Sequence, residues 1–152
     1  MWDKAEKAAE IEFEQLNKLV DLNSPVLEKV IKEEPSSVEI LAVAAILHSF
    51  YSGIENIFKR IAKEIDPGRP EGPKWHKDLL GSMMRSNDRR KALISEDLEK
   101  KLEDYLGFRH AFRNLYSYDL KWSQLKPLAT NMRGTLDQLQ KEIREFFQAA
   151  KS

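Results

Sequence analysis

The chain has 152 residues, no cysteine, and 25 Lys plus Arg against 25 Asp plus Glu. That length is one domain's worth, roughly 100–200 residues, and the missing cysteines exclude disulfides and Cys-ligated metals and fit a cytoplasmic setting. A neutral balance removes the global field that would draw the chain to nucleic acid or a membrane, so any RNA contact has to rest on a local patch.

The N-terminal Met1-Trp2-Asp3-Lys4 lacks the basic-then-apolar layout of a signal peptide. The first predicted helix runs from about Trp2 to Leu22, with Ala9, Phe13, Leu16 and Val20 at helical spacing. Short helical material follows from Pro25 to about Glu33. Ser36 opens the second long helix, because Glu39 three residues on completes a capping box before an apolar run. That run, Ile40 to Leu47, is too short to span a bilayer, which takes about 20 residues. The helix reads to about Ile65 and is apolar nearly all round, the mark of a central helix. Small residues Ala42, Ala45, Ser49 and Gly53 line one of its sides and predict a close neighbouring backbone. A narrow polar row, His48, Tyr51, Ser52 and Glu55, shares another face. These four are either hydrogen-bonded core groups or, for Glu55, the partner of a cation on a facing helix.

The cluster Pro67 to Pro73 breaks the chain, and a third helix spans about Lys74 to Arg85. The segment Ser86 to Lys91 is polar, and with Arg85 it holds Arg89, Arg90 and Lys91, either a solvated loop or an RNA-phosphate patch. Ser95 caps the fourth helix, with Glu96 and Asp97 in its first turn. A fifth helix begins near Ser123, tolerates Pro127 in its first turn, and continues to about Ala150. No strand-like alternation competes. The expectation is one all-α domain over residues 1–152, an up-down bundle of about five helices.

The fourth helix breaks its own pattern. Leu98, Leu102, Tyr105, Arg109, Phe112 and Tyr116 form one seam, so Arg109 stands where an apolar residue belongs and must be paired if buried. Glu55 is the partner in view. Gly107, inside the same helix, costs up to about 1 kcal/mol relative to Ala and predicts a kink or a close backbone approach.

The stretch Phe108-Arg109-His110-Ala111-Phe112-Arg113-Asn114-Leu115-Tyr116 resembles the Arg-x4-His-x-Tyr motif of HepT-like toxins in the HEPN superfamily (higher eukaryote and prokaryote nucleotide-binding). The segments Leu47 to Glu55 and Trp75 to Leu80 resemble parts of a HepT-like subgroup. The resemblance implies a metal-independent ribonuclease needing no cofactor, the toxin of a type VII-like toxin–antitoxin pair. It implies a homodimer through the motif helix, an RNA substrate rather than DNA, and no membrane partner. A nucleotidyltransferase antitoxin would silence it by adenylylating a tyrosine. Arg109 then takes the place of the motif arginine and Tyr116 that of the modified tyrosine.

Asn114 stands where the motif has its histidine. An amide cannot exchange a proton near neutral pH, whereas RNA cleavage through the 2′-hydroxyl wants a base and an acid. His110, one turn earlier on the same face, is the imidazole nearest in sequence. Arg113, Glu55, His48, Tyr51 and His76 are candidate supporting residues. The alternative is a catalytically inactive HEPN module that binds nucleotide or a nucleotidyltransferase partner.

Overall fold

The computed structural model describes residues 2–151, and among them are seven α-helices, one 3-10 turn and no strand. They are α1 (Asp3–Leu22), α2 (Ser24–Lys32), α3 (Ser37–Ile65), α4 (Trp75–Met84), α5 (Glu96–Phe112), α6 (Trp122–Thr130) and α7 (Met132–Ala150). The 3-10 turn, Ser117–Asp119, lies between α5 and α6.

The caps read from the sequence are formed. The Glu39 N–H donates to Ser36 Oγ at 3.1 Å, and the Ser36 N–H donates to Glu39 Oε1 at 3.0 Å, so two otherwise unpaired amides are satisfied reciprocally. At α5 the Ser95 Oγ accepts from Leu98 N–H at 3.1 Å. Ser95 also donates its own N–H and hydroxyl to Glu142 on α7, which fixes the start of α5 against that helix.

Helix α3 is the axis of the domain. It is long and apolar enough, by length and composition, to cross a bilayer, and it packs against α1, α2, α4, α5 and α6. Its residues Val43, Leu47, Phe50, Ile54, Phe58 and Ile61 have no exposed surface. The small-residue side differs from expectation. Ala42, Ala45 and Ser49 face outward, and only Gly53 meets a neighbour, where an added Cβ would lie 2.6 Å from Leu16 Cδ2 of α1.

Helices α1 and α7 run antiparallel, as the pairs Asp21–Arg133, Glu10–Arg144 and Glu6–Lys151 require. Two boundaries depart from the sequence reading. The predicted fifth helix is two, divided at Asn131, whose side-chain amide donates back to the Pro127 carbonyl at 2.8 Å. Just before it, Thr130 Oγ1 donates to the Lys126 carbonyl at 2.7 Å. Side chains that bond backward this way compete with the helical ladder and bend or end it. Helix α5, in turn, stops at Phe112, so Asn114 and Tyr116 lie beyond it rather than on it.

Candidate functional site

Along the inner face of α5, Leu98, Leu102 and Tyr105 are buried in the core. Tyr105 donates its hydroxyl to the Leu128 carbonyl at 2.7 Å, and burial pushes that phenol up to about 12. One turn on, the seam reaches Arg109. Its Nη1 donates to Glu55 Oε1 at 3.0 Å, with the arginine side chain 17% exposed and that of Glu55 3%. The break in the apolar pattern is thus resolved by a nearly buried ion pair between α3 and α5.

A third member comes from α4. His76 Nδ1 lies 2.8 Å from Glu55 Oε2 and 3.4 Å from Arg109 Nη1. The two carboxylate oxygens of Glu55 are therefore shared out, one to each partner. The Trp75 ring stacks on the His76 imidazole at 3.6 Å between centroids, and Lys59 Nζ of α3 lies over the Trp75 ring, 5.7 Å from its centroid. Residues 55, 76 and 109, from three helices, meet at one point.

Around that point the polar row of α3 is not fully satisfied. His48 Nδ1, Tyr51 OH and Arg109 Nε are buried without a hydrogen-bond partner. Each such group forfeits about 1–3 kcal/mol unless something else supplies the bond. Burial pushes the Tyr51 hydroxyl far above the usual phenol range, with the charge of Glu55 acting in the same direction. Burial holds the His48 imidazole below its ordinary value, helped by Arg109 and Arg113. The His48 ring also rests against Phe112, 5.6 Å between centroids.

An open groove of about 470 Å³ runs between the start of α4 and the outer side of α5, lined among others by Lys74, His76, Lys77, Glu103, Gly107 and His110. Two histidines 34 positions apart in sequence thus face one groove. Lys74 and Lys77 carried no signal in the sequence beyond standing after a proline cluster. Gly107 lies within the unbroken α5 and admits no neighbouring backbone. A Cβ there would meet nothing within 4 Å, and the residue lines open surface on both sides of the helix.

The remaining motif residues lie on the outside. His110 and Arg113 are exposed. Asn114 is exposed on the turn after α5 and donates its amide to the His110 carbonyl at 3.3 Å. Tyr116 and Tyr118 are 70% and 80% exposed and stack on each other nearly parallel.

The basic loop before α5 is exposed except at Arg90, which the fold takes in. The Arg90 side chain has no exposed surface and grips Asp66 with Nε at 2.6 Å and Nη2 at 2.9 Å. It also donates to the carbonyls of Ser82, Arg85 and Lys91. Arg89 reaches the carbonyls of Ile65 and Asp66 at the end of α3, where a cation complements the helix dipole. These arginines are structural.

Searches of curated proteins and of solved structures give no match to this chain. The family described as HepT-like protein matches residues 42–150, which takes in most of α3 and all of α4 to α7, and with them Glu55, His76, Arg109 and Tyr116. On that match the chain belongs to the HepT-like family of the HEPN superfamily.

Proposed function

We propose that this protein is the toxin of a toxin–antitoxin pair, an endoribonuclease that cleaves RNA without a metal and is silenced when a nucleotidyltransferase adenylylates Tyr116. The observation that carries the reading is Arg109. A guanidinium tied by Nη1 to a buried carboxylate and still 17% exposed is a positioned cation that a substrate can reach. Fixed donors aimed at the charge that develops on a phosphorane are a large catalytic contribution. The substrate phosphate would lie beside it, in reach of the lysines and histidines of the groove.

Tyr116 supports the control step, since a phenol 70% exposed is open to an incoming nucleotidyltransferase. Leu115, Tyr116 and Tyr118, exposed just after α5, are the apolar surface that a homodimer built on the motif segment would cover.

The test is purified protein incubated with tRNA and mRNA in EDTA. Wild type cleaves and Arg109→Ala does not. Equal inertness of the two would remove the basis of the nuclease reading. Co-expression with a cognate nucleotidyltransferase then gives an AMP mass increment on Tyr116, absent in Tyr116→Phe.

One observation favours a second reading, a catalytically inactive module that binds nucleotide or the nucleotidyltransferase. Asn114 stands at the position of the motif histidine, and its amide already bonds the His110 carbonyl. A stable complex with the nucleotidyltransferase and no RNA cleavage by any form of the protein would select it.

A further inference from the structure

We propose that the imidazole of His76, oriented by the buried Glu55 carboxylate, is the proton-accepting group of this site, and that it acts with His110 on an RNA phosphodiester laid in the groove between α4 and α5. This rests on the ribonuclease reading, and it moves the proton chemistry off the motif position and onto a different helix.

The orientation follows from the donors and acceptors. A carboxylate that faces Arg109 at 3.0 Å is an acceptor only, so its 2.8 Å contact with His76 Nδ1 requires the proton on that nitrogen. An arginine nitrogen has no lone pair either, so the 3.4 Å approach of Arg109 Nη1 to the same nitrogen is not a hydrogen bond in this tautomer. The lone pair of the neutral ring then sits on Nε2. A carboxylate behind Nδ1 is the arrangement that fixes tautomer and ring direction in histidine bases. Stacking on Trp75 holds the ring plane from one face.

The surroundings supply the rest. His76 faces Glu55 and Arg109 at its inner edge, with Lys59 of α3 beyond Trp75. Towards the groove it faces Lys74 and Lys77 from its own end of the chain and Glu103 and His110 from α5. Asn114 is outside this set, on the turn that follows α5.

The step balances without a co-reactant. His76 Nε2 takes the proton of a ribose 2′-hydroxyl, and O2′ forms a bond to phosphorus. The P–O5′ bond breaks, its electron pair goes to O5′, and the protonated His110 gives that oxygen a proton. The products are a 2′,3′-cyclic phosphate end and a 5′-hydroxyl end. Solvent returns the proton from His76 to His110. Arg109 carries the charge on the phosphorane oxygens.

The experiment uses the full chain on RNA in EDTA, with His76→Asn, His76→Ala, His110→Ala and Arg109→Ala, each shown by circular dichroism to be helical and folded at the assay temperature. Asparagine can keep the donor to Glu55 but cannot titrate, so His76→Asn separates proton transfer from helix pinning. The expected result is a loss of about 100-fold or more in kcat for His76→Asn, in the range of a general acid or base. KM stays within threefold, and added imidazole restores part of the activity of His76→Ala. The pH–rate profile of wild type is a bell; His76→Asn flattens its acid limb and His110→Ala its alkaline limb.

A folded His76→Asn protein within threefold of wild type, while Arg109→Ala is dead, overturns this inference and leaves the ribonuclease reading standing. A His76→Asn protein that is slow but keeps the full bell also overturns it, because the histidine would then be structural. Wild type inert on every RNA brings down both.

Discussion

Glu99 is 7% exposed on α5, and burial together with the neighbouring Glu103 holds its carboxyl above the ordinary glutamate value of 4.5. The fold therefore binds this proton more tightly than the unfolded chain does. The contribution is fully present below that ordinary value and is lost as pH rises through the raised one. Glu99→Gln keeps a donor towards Glu103 and carries no charge. Its melting temperature exceeds that of wild type at pH 7, and the difference shrinks to nothing near pH 4. Two glycines make a second comparison at this scale. Gly53→Ala drives a methyl against Leu16 in the core; overpacking of about 1–3 kcal/mol outweighs the up to 1 kcal/mol of helix propensity gained. Gly107→Ala has open space, keeps the propensity gain and stabilises by about 0.5–1 kcal/mol. Urea titrations should show the two substitutions moving the midpoint in opposite directions.

Among the elements, the joint between α3 and α5 is the most consequential. Glu55→Ala leaves the Arg109 cation in a mostly buried position with no counter-charge, at a cost of about 3 kcal/mol. Glu55→Leu with Arg109→Leu removes both charges together and returns stability to near the wild-type level, while RNA cleavage stays lost. Denaturant unfolding and the cleavage assay on the same preparations separate the two roles. This joint was legible in advance, since an arginine on an apolar seam and a glutamate in the polar row of the central helix had to find one another. The capped starts of α3 and α5 were equally legible, because a cap is a contact between near neighbours. The end of α5 was not. Phe112 and Tyr116 continue the helical period, no proline or glycine follows, and the stop shows only in the turn that Arg113 and Asn114 make. The division at Asn131 rests on side chains bonding backward, which apolar spacing does not register. His76 joins the site from 21 positions away, through a pairing that no periodicity encodes. Arg90 read as a surface cation, because burial of a charge depends on Asp66 arriving from the end of another helix.

For the molecule as a whole, 25 basic and 25 acidic side chains leave no net field, and Arg90 is consumed by the fold. On the proposed ribonuclease reading, RNA affinity falls to a few groove cations, Lys74 and Lys77 foremost. Each phosphate neutralised on a single strand contributes about −0.7 to the slope of log K against log salt. Lys74→Ala with Lys77→Ala reduces the steepness of that slope by about 1.4, measured by fluorescence anisotropy with a 2′-O-methyl oligonucleotide, which cannot react. The stacking of Trp75 on His76 at 3.6 Å gives the same site a voice of its own. A protonated imidazole accepts electrons from an excited indole far better than a neutral one, so this tryptophan is dim while its neighbour is charged and brightens as the proton leaves. Light emitted from one ring thus reports the charge carried by the other, with no label attached and no substrate turned over.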